Sequence, residues 1–514
     1  MSKAAAPRPA PSWAAPPDPR RWWALVVIAI AQLMVVLDAT IVNIALPSAQ
    51  RDLGISDANR QWVITAYTLA FGGLLLLGGR ISDLVGRKRT FVVGLVGFAV
   101  ASGLGGAASG PELLFGARAL QGAFAALLAP AALSLLTTTF TVGKERSKAF
   151  GIYGAIAGGG AAIGFIAGGL LTEYLSWRWC LYVNVPVAVL ALAGAAVFLQ
   201  DKRERGGARL DVPGVLLGCG GLVAIVYGCS EAQPRGWGDG RIVGLLVGGL
   251  ALLALFGWWQ TRARYPLLPL RIVRDRNRGG AFLTIGLAVI GMFGMFLFMT
   301  YYLQTVLGYS PVRTGLAFLP LVAAIVVGST QISARLLHRL APRRLMVPGA
   351  LLAAVGLYTL TYLTARPAYV SHVLPAELLV GLGMGLVFMP VMATATSGVA
   401  PQDSGVTSAT VNTAQQVGGS LGTALLNTIA TSTSATYIAA HLADAARRVG
   451  DQGIPPAVRS GIVRDGVVDG FAVAIGAGSA IMLLAAVVAG LMVNGRAPKP
   501  PVAAPAPRIP DARQ

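Results

Sequence analysis

Long apolar runs follow one another along almost the whole chain, each closed by Arg/Lys clusters or by Gly and Pro. A run of about 20 apolar residues is one helical crossing of a hydrocarbon core about 30 Å thick, whereas a transmembrane strand needs only about 9–11. Inside lipid every backbone N–H and C=O must be satisfied within the protein, which leaves helices and closed barrels. Runs this long therefore select helices. They fall near 22–46, 62–81, 90–108, 112–139, 149–171, 180–199, 212–230, 242–260, 280–303, 314–334, 345–364, 372–397, 405–432 and 468–494, fourteen in all. Only 12% of the 514 residues are charged, against about 25% in soluble domains. The expected fold class is an all-α polytopic membrane protein.

The net charge of +20 first suggests a nucleic-acid binder. Its distribution argues otherwise. With the N-terminus placed in the cytoplasm, 29 of the 41 Lys and Arg fall on cytoplasmic segments, and the remainder are scattered outside apart from Arg118 within the fourth span. That bias satisfies the positive-inside rule with both termini cytoplasmic. A nucleic-acid surface would gather the charge on one soluble domain, and no soluble stretch exceeds the region 433–467, which reads as an extracellular loop. The Pro- and Ala-rich segment 1–21 and the segment 495–514 read as disordered cytoplasmic tails.

The chain also repeats itself. "GRISDLVGRKRTFVVG" (79–94) aligns without gaps to "ARLLHRLAPRRLMVPG" (334–349) at an offset of 255. "GIYGAIAGGGAAIGFIAGGLL" (151–171) aligns to "GVTSATVNTAQQVGGSLGTAL" (405–425) at an offset of 254. Two matches in order, at nearly one offset, indicate duplicated halves: a six-helix bundle over 22–199, another over 279–494, and a linker over 200–278 carrying two inserted helices. Parallel repeats flanking a central cavity are a transporter architecture.

Several strings carry a resemblance to a known family. "GGRISDLVGRKR" between the second and third spans resembles the cytoplasmic signature of the major facilitator superfamily, and "RALQG" (118–122) its fourth-helix motif. "LDATIVNIALP" (37–47), "WRWCLYVNVP" (177–186), "LDVPG" (210–214) and "NTAQQVGGSLG" (412–422) look like the fourteen-helix drug:proton antiporter branch. The resemblance implies a major facilitator fold and export of drugs against protons, with no cofactor beyond the proton gradient. It also implies a cytoplasmic gate at Gly79, Asp83, Gly86, Arg87 and Arg89, and a glycine motif in the fifth helix at Gly154, Gly158, Gly164 and Gly168. Phe165 stands where that motif usually has proline, so a proline-shaped bend is not expected there.

Asp38 is the residue that most needs explaining, because carboxylates at membrane depth are costly and usually face a partner or a water-filled cavity. It sits about 24 Å above the cytoplasmic start of its helix, and Arg118 about 10 Å below the outer face, so the two share a depth. Two readings stay open, a static salt bridge and a titrating carboxylate tuned by a neighbouring cation. The family resemblance favours the second and assigns proton coupling to Asp38 and Arg118. Thr40 and Asn43 do not share Asp38's face and are expected to hydrogen-bond between helices. Asp38, Glu377, Asn412 and Gln415 are candidate cavity residues. The loop 398–404 lacks Lys and Arg and precedes a positive helix end; that end is expected to receive Asp83, while Asp403 is expected to pair with Arg87 or Arg89.

No Walker loop, GxSxG or paired catalytic carboxylates occur, and the three histidines and three cysteines have no metal-ligand spacing. The leading expectation is a monomeric proton-coupled exporter of hydrophobic or cationic drug-like compounds in the cytoplasmic membrane, with the lipid bilayer as its surroundings and no enzymatic activity. Export of one metabolite, such as a self-made antibiotic, is the second reading. A membrane-embedded enzyme or lipid-modifying protein would need a catalytic cluster at one interface.

Overall fold

The computed structural model describes residues 20–55, 62–140, 143–200, 210–363, 369–400, 403–449 and 454–494. The expected disordered tails lie outside these residues, apart from Arg20 and Arg21 at the first helix. Among the described residues there is no strand. The first half comprises α1 (Arg21–Asp52), α2 (Trp62–Val85), α3 (Arg87–Gly106), α4 (Pro111–Thr139), α5 (Gly143–Tyr174) and the pair α6 (Trp179–Tyr182) and α7 (Asn184–Phe198). The linker carries α8 (Val212–Arg235), α9 (Gly240–Gln260) and the short α10 (Leu270–Arg274). The second half holds α11 (Arg276–Tyr301), the short run α12 (Pro311–Ala317), α13 (Leu319–Val326) and α14 (Ala334–Leu336), then α15 (Arg343–Thr359), α16 (Leu374–Ala395), α17 (Ser404–Val449) and α18 (Pro456–Met492). Among the described residues, twelve segments are long and apolar enough to cross a membrane. The Gly-rich α5 and the Ser- and Thr-rich α17, of 32 and 46 residues, pack among them.

The two halves use the same set of helix pairs. In the first, α1 packs on α5 and α7, and α4 on α2 and α3, with α3 against α7. In the second, α11 packs on α17 and α18, and α16 on α13 and α15, with α15 against α18. Between the halves, α2 lies along α17 and α5 along α13, again a matched pair. The sequence offset of about 255 is thus expressed as a packing pattern. Within α5 the glycines make room for α1: a Cβ on Gly164 would lie 2.0 Å from Thr40 Oγ1, and one on Gly168 3.0 Å from Ile41. Small residues let helices approach closely in lipid. The helix runs unbroken past Phe165, in keeping with the missing proline.

Residues 433–467, expected as a loop, are mostly helical. Residues to Val449 extend α17 and those from Pro456 open α18, and the two helices pack together. The segment SATYIAAHLADAARRV is rich in strong helix formers. An i,i+4 ion pair between Asp444 and Arg448 adds to them, and Pro456 suits the first helical position. Polarity marked the segment as leaving the membrane and hid its helicity.

The linker hairpin is closed by Asp211, which caps α8. Its carboxylate accepts from Gly214 N (3.0 Å), Trp259 Nε1 (2.9 Å), Gln260 Nε2 (2.9 Å) and Leu267 N (3.4 Å). Burial pushes this carboxyl up, but the four donors outweigh it and hold its pKa below the usual carboxylate value. A carboxylate with a lowered folded pKa stabilises the fold above its unfolded pKa, and the contribution fades as pH falls through the lowered value. Asp211→Asn is expected to cost about 1–2 kcal/mol at neutral pH. In thermal unfolding from detergent the difference from the parent chain should shrink only on acidification below the normal aspartate range.

Candidate functional site

Asp38 lies inside the first half with no exposed surface, and Arg118 of α4 is 1% exposed. Arg118 Nη1 donates to Asp38 Oδ2 at 2.6 Å. Asp38 Oδ1 accepts from Gln121 Nε2 (3.0 Å) and from Asn184 Nδ2 (2.9 Å). Both amides also donate to Ser102 Oγ, at 2.6 and 3.3 Å, while Gln121 Oε1 accepts from Arg118. Arg118 Nε caps the Val63 carbonyl at 3.0 Å, and the Tyr67 ring lies 4.5 Å under the guanidinium. Five helices, α1 to α4 and α7, thus converge on one carboxylate. Every amide hydrogen of Gln121 and Asn184 is used, and the single negative charge faces a single positive one.

This arrangement surrounds the Asp38 carboxyl group with donors. A buried charge is tolerated only when it is paired and hydrogen-bonded, and here all three contacts are donors. The shared depth of Asp38 and Arg118 was legible from helix register. Gln121 and Asn184 lie inside the motif strings RALQG and WRWCLYVNVP, and the i,i+3 spacing of Arg118 and Gln121 on one helix face was the available signal. Ser102 and Tyr67 carried none. Thr40 does not bond between helices as expected. Its hydroxyl donates back to Val36 O and Leu37 O of α1, at 3.1 and 3.0 Å, because the close approach of Gly164 turns it inward. The side chain of Asn43 lies outside the described residues.

A second cluster joins the halves at the opposite end of α2. Asp83 accepts from the backbone N–H of Gly405 (2.8 Å) and Val406 (3.0 Å), the first turn of α17. A carboxylate there satisfies orphan donors and meets the positive end of the helix. Gly79 and Gly405 allow it: a Cβ on Gly79 would lie 2.6 Å from the Gly405 carbonyl oxygen and 2.5 Å from Ala409 Cβ. Gly86, at φ 110°, makes the α2–α3 turn in a region that L side chains rarely enter. Ser134 of α4 meets Ser404 hydroxyl to hydroxyl at 2.6 Å, and Arg146 of α5 donates to Thr396 Oγ1 at 2.9 Å. Asp403 does not pair with Arg87 or Arg89 as expected. Its partner is Arg271 of the linker helix α10, because the short α10 brings a third basic segment to this end. Lys88, beside them, caps the end of α7 at Ala196 O and Leu199 O.

The remaining cavity candidates do not gather. Asn412 donates to Ser408 O of its own helix (2.9 Å), Gln415 has a buried Nε2 without a partner, and Glu377 is buried in the first turn of α16. Gly154 faces Met389 of α16 while Gly164 and Gly168 face α1, so the fifth-helix motif serves both the intra-half and the inter-half seam; Gly158 lies outside the residues whose surroundings are described. A narrow cleft near the start of α4 is lined by apolar residues including Val42, Leu46, Trp177 and Leu181, with Arg118 as its charged lining residue.

Two pseudo-equivalent helix bundles, a buried polar cluster within the first and a carboxylate bridging to the second beside signature glycines are the arrangement of a transporter of the major facilitator type. The profile of the Major Facilitator Superfamily matches residues 28–423, and the chain belongs to that family. It is 58% identical over 482 residues to the puromycin resistance protein pur8 of Streptomyces alboniger, covering 93% of each chain. It is 40% identical over 430 residues to the cephamycin export protein CmcT of Amycolatopsis lactamdurans, covering 82% of this chain and 88% of that one. The tetracenomycin C resistance and export protein of Streptomyces glaucescens is 37% identical over 411 residues, 80% of this chain and 76% of that one. Among solved structures, the human organic anion transporter MFSD10 superposes with a TM-score of 0.61 at 13% identity, over 92% of this chain and all of that one, a likeness of fold. The chain is a multi-pass membrane protein.

Removing one member of a buried ion pair leaves the other uncompensated, which costs about 3–5 kcal/mol. Asp38→Asn and Arg118→Gln should each lower thermal stability by that order, and the double variant should recover much of the loss. A double-mutant cycle in detergent measures the coupling; additive losses would show that the pair contributes no coupling.

Proposed function

We propose that this chain is a proton-coupled antiporter that exports hydrophobic or cationic antibiotics by alternating access. Export is supported by the three relatives, whose names describe resistance to or export of antibiotics. Proton coupling rests on one observation, the fully buried Asp38 held by Arg118, Gln121 and Asn184. A proton arriving on Asp38 cancels the charge that Arg118 faces and displaces at least one amide donor, so protonation loosens the convergence of α1, α4 and α7. That converts a proton gradient into a change of helix packing. No enzymatic step is needed.

The finer architecture follows the same reading. The twelve apolar spans together with α5 and α17 make fourteen membrane helices, an even number that places both termini on one side. The excess of Lys and Arg assigns that side to the cytoplasm. Asp83 and the first turn of α17, Ser134 with Ser404, Arg146 with Thr396, and Arg271 with Asp403 form the cytoplasmic latch that opens when one half rocks against the other. Gln415, with its buried unpartnered Nε2 on α17, is our candidate for a substrate contact.

A narrower reading, export of a single antibiotic, is favoured by the 58% identity to a puromycin resistance protein over nearly its whole length. Puromycin accumulation in inverted membrane vesicles tests both. Accumulation driven by an imposed proton gradient, abolished by an uncoupler and lost in Asp38→Asn, is expected. Accumulation indifferent to the uncoupler would sink proton coupling. A panel of unrelated lipophilic cations then separates a multidrug exporter, which moves them, from a dedicated one. Asp403→Arg, which sets like charges against each other at Arg271, is expected to reduce export severalfold in the same vesicles; unaltered export would remove Asp403 from the latch.

A further inference from the structure

The second half carries its own buried carboxylate, Glu377, with no exposed surface. Its surroundings are the reverse of those of Asp38. No cation forms an ion pair with it among the described residues, and Oε1 has no hydrogen-bond partner at all. Among the described residues its hydrogen-bond partner is the hydroxyl of Tyr369, on the π-helical segment Tyr369–Val373 that leads into α16, 3.2 Å from Oε2.

That hydroxyl is contested between the carboxylate and a nearer acceptor. Tyr369 Oη has one hydrogen and stands 2.7 Å from the carbonyl oxygen of Ala317, at the end of α12. A carbonyl can only accept, and it is the closer of the two oxygens. With the hydrogen committed there, the Glu377 contact is a hydrogen bond only if the hydrogen belongs to the carboxyl group, donated to the free lone pair of Oη. An ionised Glu377 would face that lone pair with one oxygen and apolar packing with the other, and an isolated buried carboxylate is among the costliest groups to desolvate.

Among the described residues, no charged side chain forms an ion pair with Glu377 or Tyr369. Tyr309 stands behind Tyr369 with the Arg313 guanidinium 3.9 Å over its own ring, stacked away from Glu377. His372, on the same segment as Tyr369, is exposed and bonded to Ser371. From α13 the nearest turns of α16 meet Leu321 and Ala324, and from α15 they meet Gly356, none of them titratable.

We infer that Glu377 rests as the neutral acid, donating its proton to Tyr369, so that the second half stores a proton of its own. The store is geared to motion. When the segment 369–373 separates from α12, the Tyr369 hydrogen leaves the Ala317 carbonyl and turns to Glu377, the carboxylate gains a donor, and its proton is released. This inference does not depend on export, because it concerns a protonation state at rest.

Infrared spectra of the full chain in lipid nanodiscs test it. The wild-type minus Glu377→Gln difference spectrum at neutral pH should contain the carbonyl stretch of one neutral carboxylic acid, moved by deuterium exchange and replaced by carboxylate bands only at alkaline pH. Loss of carboxylate bands in its place would overturn the inference. Should Glu377→Gln fail to insert, Tyr369→Phe supplies the second readout. An acid that has lost its acceptor shifts its carbonyl stretch to higher frequency, whereas no change in the acid region would equally overturn it. Asp38→Asn should leave the acid band unchanged.

Discussion

A charge buried in an apolar interior must be compensated where it stands, and the first half is organised around that requirement. Asp38 sits at a depth where neither water nor lipid headgroups reach it. Arg118 supplies the opposite charge, and Gln121 and Asn184 supply the remaining donors. Because these groups come from different helices, the electrostatic requirement becomes a packing requirement. The helices must meet at one depth and one rotation, or the charge is stranded.

The two bundles also approach closely. Gly79 and Gly405 let α2 and α17 touch backbone to backbone, and Asp83 turns the contact into two hydrogen bonds at a helix end. The attachments across this end are few, polar and short. They suit a joint that opens, whereas an interdigitated apolar seam would have to be unpacked.

Much of this was legible in the sequence, and the exceptions share a cause. Span lengths and the positive-inside bias are properties of the chain against the bilayer, so they appear in one dimension. The repeat at 254–255 appears there too, and emerges as the matched pairs α1–α5 and α11–α17. Asp38 and Arg118 could be matched in depth because a helix converts residue number into height. Ser102 could not, since an uncharged polar residue in a membrane helix has many satisfactory partners and no preferred depth. The partner of Asp403 was missed because Arg271 belongs to the linker, outside the signature loop that drew attention to Arg87 and Arg89. The polarity of the region 433–467 points to a loop, whereas an Ala-rich polar segment is also a good helix outside lipid.

The linker helices have a consequence for the molecule's relation to its surroundings. α8 packs against both α2 and α17, with Val223 against Gly73, the Tyr227 ring 6.1 Å from that of Trp62, and Trp237 donating to Thr428 of α17. The seam between α2 and α17 is thereby roofed along its length. Its pseudo-equivalent, between α5 and α13, has no linker helix packed against it. Duplication would make the two flanks of the molecule alike, and the insertion makes them chemically different. A hydrophobic compound dissolved in the membrane meets one shielded flank and one bare flank, so approach from within the leaflet is handed: the molecule has a front and a back in the plane of the bilayer.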